Sequence, residues 1–238
     1  MKRLPILGLF AFICLTSHSQ GLNGLLNKAK QAVTGGGLST ADISAGLKEA
    51  LTNGTNKGTA TLSQVDGFFG NAAVKILLPP EAQKVESTLR SMGLGKQVDD
   101  AILSMNRAAE DACKSAAPIF VNAIKQMSFE DAANILRGSD TAATGYLRGK
   151  TTADLTTAFS PVIKQSLEKV DATKYWNTLI TTYNKIPFQK KVNPDLAAYV
   201  TDKSLNGVFY QIALQEKSIR QDPAARTSDI LKKVFGSK

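Results

Sequence analysis

Residues 96–117 read KQVDDAILSMNRAAEDACKSAA. Val98, Ile102, Met105, Ala109 and Ala112 recur at steps of three and four, the spacing of one face of an α-helix. The alanines between them favour the helical state, and no glycine or proline interrupts the run before Pro118. A chain whose central stretch reads this way, with little sustained period-two alternation elsewhere, is expected to be all-α. The pattern predicts a multi-helix bundle of roughly eight to ten helices with little or no sheet.

Upstream, Pro80 suits a first helical turn with Glu81 beside it, and Gly93 and Gly95 break the chain before Lys96. Further back, Ser39 followed by Asp42 resembles a capping box and opens a helix carrying Ile43, Leu47 and Leu51. Gly46, Ala50, Gly54 and Gly58 recur every four residues there. They predict a flat face for close helix approach, against the competing expectation of a break at Asn53-Gly54. Leu62, Val65, Phe68, Phe69 and then Val74 to Leu78 follow, and Pro79-Pro80 ends that segment.

Downstream, Pro118 starts or kinks a piece with Ile119, Phe120, Ile124 and Met127. Ser128 with Asp131 is a second capping box, and its helix stops at Gly138. Ser139 is expected to cap a helix with Tyr146 and Leu147, Thr151 or Thr152 one with Leu155 and Phe159, and Pro161 to begin another with Val162, Ile163, Leu167 and Val170. Asp171 to Ile186 carries Tyr175, Trp176, Leu179, Ile180 and Tyr183, aromatics expected to pack in the core. After a basic loop at 188–192, Asn193-Pro194 starts a helix running to Ile219. Asp222-Pro223 starts the last one, with Ile230, Leu231, Val234 and Phe235.

The first 38 residues read differently. Lys2 and Arg3 precede an apolar run from Leu4 to Leu15, and Ser17 and Ser19 then place small residues at alternating positions. This is the pattern of a signal peptide cleaved after Ser19. The run is shorter than the roughly 20 residues of a bilayer-spanning helix, and no later segment is long and apolar enough to span. Residues 20–38 form an amphipathic leader, with Leu22, Leu25, Leu26 and Ala29 on one face, ending at Gly35-Gly36-Gly37. A single helical domain is expected over 39–238. The expected address is export, with the periplasm first and outer-membrane association or full secretion as alternatives.

Cleavage would leave Cys113 as the only cysteine and remove His18, the only histidine. Histidine-dependent triads, histidine general acid–base catalysis and histidine metal ligands are then excluded, and no cofactor or metal is expected. Cys113 sits among Ala109, Ala112 and Ala116 and is expected to be a small core residue. Gly35-Gly36-Gly37 lacks the lysine of a P-loop, and Gly93-Leu94-Gly95 does not follow a strand. The carboxylate pairs Asp99-Asp100, Glu110-Asp111 and Glu130-Asp131 point about 100° apart on a helix and read as solvated faces or first-turn charges. The full chain carries 29 basic and 20 acidic residues. Its basic residues are scattered, so nucleic acid is not an expected partner.

Five segments together resemble one known family. They are Asp66-Gly67-Phe68-Phe69, Ala117-Pro118-Ile119-Phe120, Ala142-Ala143-Thr144 with Tyr146-Leu147, Tyr199-Val200-Thr201 with Lys203, and Asp222-Pro223-Ala224-Ala225-Arg226. In order and over nearly the whole mature chain, they are similar to the DUF4197 family of bacterial proteins. The resemblance implies a secreted helical protein of Gram-negative bacteria and carries no activity with it.

The C-terminal third holds the candidate site. Lys203, Glu216, Arg220 and Arg226 stand among apolar positions and are the candidate ligand-binding residues for an anionic group. The plainer reading of Glu216 and Arg220, four apart, is a surface ion pair. No catalytic residue is identified. The functional expectation is a non-enzymatic binding or interaction module of the cell envelope, holding an envelope protein or an anionic, lipid-like ligand. Its alternatives are a carrier with an acyl chain between helices and a carboxylate-dependent cell-wall hydrolase.

Overall fold

The computed structural model describes residues 39–169 and 195–236, together with positions 176, 177, 180, 181, 184, 185, 187 and 191 between them. The expected signal peptide and leader lie outside the described residues. The body forms one compact unit from Thr40 onward. Among the described residues there are eight α-helices and no strand.

Of residues 96–117, those up to Cys113 lie in one helix, Gly95–Cys113; Lys114 and Ser115 turn, and Ala116 opens the next helix, which carries Pro118 inside it. In chain order the helices are α1 Thr40–Leu62, α2 Gln83–Ser91, α3 Gly95–Cys113, α4 Ala116–Lys125, α5 Phe129–Arg137, α6 Ala142–Glu168, α7 Leu196–Gln221 and α8 Asp229–Gly236. Helix α7 packs against α1, α3 and α6, while α4 fits between α1 and α6 and α8 closes on α1. Phe68, Phe120, Phe159 and Phe209 are fully buried, and Phe120 meets Phe209 edge-to-face at 5.9 Å. Cys113 is in this core, as expected from its alanine neighbours. Trp176 is buried too, whereas Tyr175 and Tyr183 fall outside the described residues.

Helix α1 runs unbroken through Asn53-Gly54. Gly46, Ala50, Gly54 and Gly58 are all buried on it. A methyl group built on Gly54 would meet Gln215 Cβ at 3.4 Å, and one on Gly58 would meet Gln211 Cγ at 3.5 Å. The small residues thus seat α7 directly on the α1 backbone, which outweighs their poor helix propensity.

Three expectations are corrected. The stretch 142–168 is one helix of 27 residues, not three. Thr151 and Thr152 do not cap new helices. Their hydroxyls donate back to the carbonyls of Leu147 and Arg148, at 2.7 and 2.6 Å, which lets threonine sit inside a helix. Pro161 lies inside the helix rather than at its start.

Second, residues 63–79 are not helical. They form a strap of turns ending in an extended piece between α1 and the 3₁₀ turn Pro80–Ala82. Third, Pro223 opens only a 3₁₀ turn, and α8 begins at Asp229. The Ser128–Asp131 capping box and the stop at Gly138 are as expected. The proposed start of α7 at Asn193-Pro194 lies outside the described residues, and Asp195 caps the helix by accepting from Ala198 N at 2.9 Å.

Candidate functional site: two buried carboxylates and an open helix face

Glu216 and Arg220 face inward on α7, one turn apart. Their side chains are 5% and 6% exposed and meet at 2.9 Å, so the pair is buried and not the surface ion pair expected. Glu216 accepts from the backbone N–H groups of Ala143 and Thr144, at 3.0 and 2.8 Å, and from the Thr144 hydroxyl at 2.8 Å. These amides are the free donors at the start of α6, where the helix dipole also favours a negative charge. Arg220 donates to the carbonyls of Ile135 at 2.8 Å and Leu136 at 3.3 Å, in the last turn of α5, where a cation is favoured. One ion pair therefore fastens the end of α5 and the start of α6 to α7. Gln221 adds a bond to Asp140 in the connection between them, at 2.6 Å.

Arg226 donates to the carbonyls of Ile219 and Arg220, at 3.0 and 2.9 Å, and closes the end of α7. Of the four sequence candidates, three are thus brought together at one end of α7. Lys203 is not with them. It lies thirteen residues before Glu216, about 20 Å along the helix, exposed and over the Tyr199 ring at 5.6 Å. A space of about 20 Å³ beside the pair is walled by Leu47, Leu51, Ile212 and Phe235. That is room for about one water molecule and not for an acyl chain.

The sequence missed a second buried carboxylate. Glu110, read there as solvated, is 4% exposed, because it projects from the inner face of α3 toward the strap. Its Oε1 accepts from the amides of Phe68 and Phe69, at 3.0 and 3.2 Å. Its Oε2 accepts from Arg107 at 2.7 Å, and Arg107 also reaches Asp66 at 2.8 Å. One turn earlier the fully buried Asn106 both accepts from Ile76 N and donates to Ile76 O, each at 2.8 Å. The strap is therefore tied down twice along α3.

This explains Asp66-Gly67-Phe68-Phe69 atom by atom. Asp66 has a φ of 68°, a left-handed conformation that aspartate tolerates better than most residues, and its carboxylate is held by Arg107. A methyl group on Gly67 would lie 2.5 Å from the Leu62 carbonyl oxygen, so no other residue fits. Phe68 is buried against Gly207 of α7, and Phe69 lies under Lys75 Nζ at 3.8 Å. A signal for Glu110 was present, since Ile102, Asn106 and Glu110 step by four along the apolar face.

The other carboxylate pairs are also engaged. Asp99 binds Arg90 at 2.7 Å, which holds its carboxyl below the usual range, and Asp100 binds Lys96 at 2.6 Å. Asp111 binds Lys114 at 2.8 Å. Asp131 accepts from the Ser128 backbone and hydroxyl, and these bonds hold its carboxyl low. Among the described residues no group of three His, Cys, Asp or Glu side chains is placed to hold a metal ion. No described helix is long and apolar enough to cross a membrane.

A family model described as a protein of unknown function, DUF4197, matches residues 37–236. No curated protein and no solved structure matches the chain.

Proposed function

The chain belongs to the DUF4197 family over most of its length, and from that premise we propose that it is an exported, non-catalytic interaction module of the bacterial cell envelope. The observation that carries this reading is where the charges go. Glu110, Glu216 and Arg220, the buried ionisable groups described above, are spent on backbone amides and carbonyls of neighbouring segments. Such groups hold a scaffold together, and most of their hydrogen-bonding capacity is already taken. On the outer face of α7, Lys203, Tyr210, Leu214 and Lys217 are exposed.

Export rests on the sequence of residues 1–19. Its check is N-terminal sequencing of the protein recovered from a Gram-negative host, which is expected to begin at Gln20. An intact Met1 would remove the envelope from the proposal.

The interaction is tested by placing a photo-crosslinking amino acid at Tyr210 and, separately, at exposed Asp111 on α3. The reading expects a discrete adduct in the envelope fraction from position 210 and none from 111. Equal labelling at both, or none at 210, would overturn it.

A further inference from the structure

Six positions of α7, Tyr199, Lys203, Asn206, Tyr210, Leu214 and Lys217, step by four, three, four, four and three residues. They fall within a stripe about 80° wide and about 27 Å long on the helix surface. The contacts of α7 with α1, α3 and α6 use its other sides. The last five of these positions are exposed, and Tyr199 is half-buried with its hydroxyl donating to the Leu77 carbonyl at 2.9 Å. That bond sets Leu77, 55% exposed, at one end of the stripe. Six large apolar or aromatic side chains stand out as exposed among the described residues, and Leu77, Tyr210 and Leu214 are three of them.

A cation borders this stripe on its α6 side. Arg148 of α6 stacks over Phe209 at 4.3 Å and donates to Asn206 at 3.1 Å. Within the stripe, Lys203 and Lys217 have no carboxylate partner among the described residues, unlike Arg90, Lys96, Arg107 and Lys114 on α2 and α3. Between 199 and 217 the sequence has two acids. Glu216 is buried, and Asp202 accepts from Asn206 at 3.1 Å.

We infer that this face docks the protein onto a bilayer surface rich in anionic phospholipid. The inference rests on the interaction-module reading above and names its partner. Tyrosine and leucine interleaved with Lys203 and Lys217 along one face of the helix, with Arg148 beside them, match what such an interface requires. The aromatic and aliphatic groups enter the headgroup layer, and the ammonium and guanidinium groups meet the lipid phosphates.

The test is co-sedimentation of purified residues 20–238 with vesicles of phosphatidylethanolamine and phosphatidylglycerol, and with vesicles of phosphatidylcholine alone. Binding is expected to the anionic vesicles and to weaken as salt rises. Lys203→Glu with Lys217→Glu is expected to lower it by about tenfold or more. Tyr210→Ser with Leu214→Ser is expected to lower it at constant charge. Lys84→Glu with Lys164→Glu, exposed on α2 and α6, makes the same change in net charge and is expected to leave it nearly intact. Equal sedimentation with both vesicle types, equal loss in the two charge-reversed variants, or release by inorganic phosphate at low concentration would each overturn the inference. A protein adduct from the crosslinker at position 210 without vesicle binding would leave the module reading standing and remove the lipid. Absence of both would remove the two together.

Discussion

Glu110 shows what a single side chain does in this molecule. It replaces the missing backbone partners of a turn, supplying an acceptor to two consecutive amides of the strap. Removing it leaves those two amides without their acceptor at a largely buried site, while Arg107 keeps Asp66. Glu110→Ala is therefore expected to cost about 3 kcal/mol in urea unfolding and to speed hydrogen exchange at the Phe68 and Phe69 amides first. Unchanged exchange there would mean that the strap is held by its apolar side chains alone.

Cys113 makes the opposite case. Burial pushes its thiol far up from the ordinary range, so it has no thiolate to offer. A thiol reagent is expected to leave the native protein unlabelled and to titrate one thiol per mature chain after denaturation. Sequence made the cysteine legible because its neighbours are alanines. For the carboxylate the only signal was its step of four from Ile102 and Asn106, and this did not decide its burial, because only the returning strap encloses it.

At the scale of elements, hydrophobic spacing located the helices well and their ends less well. The two signals that misled were Thr151–Thr152 and Pro161, each a stop in isolation. Inside α6 the threonine hydroxyls bond back to carbonyls of the preceding turn, and packing on α3, α4 and α7 carries the helix through the proline. The strap was illegible for a related reason. Its apolar residues meet the core through turns fixed by distant side chains, so no local period exists to be read.

Glycines separate the two kinds of helix surface. Nothing lies within 4 Å of a methyl group built on Gly145 or Gly149 of α6, so alanine at each is expected to raise stability by about 0.5–1 kcal/mol. At Gly207 the same methyl would come within 2.6 Å of the Phe68 ring, and Gly207→Ala is expected to destabilise and loosen the strap. Urea midpoints of the three variants check both directions. The capping box on α5 adds a pH dependence. The Asp131 carboxyl is held low by Ser128, so its contribution is complete above the unfolded carboxylate range and lost as pH falls through the lowered folded value. Ser128→Ala is expected to cost about 1 kcal/mol at neutral pH and less in acid, measured by the same midpoints.

For the whole molecule, the account is a rigid helical body whose buried charges are joints and whose free chemistry lies outside. The all-α class and the family were both open to sequence reasoning. Glu216, Arg220 and Arg226 meet at the end of α7, yet spacing alone could not say what they face. Only the fold brings the α5–α6 connection onto them.

The measurement that separates a joint from a ligand site is the stability of Glu216→Gln against the parent protein, by urea unfolding with no ligand added. A joint leaves Arg220 buried without its counter-charge, and the account predicts a loss of about 3 kcal/mol with the slope of the transition unchanged. A residue kept for a ligand is commonly replaced at no loss, or with a gain. A variant as stable as its parent, or more so, would contradict the account and return Glu216 and Arg220 to the list of binding groups.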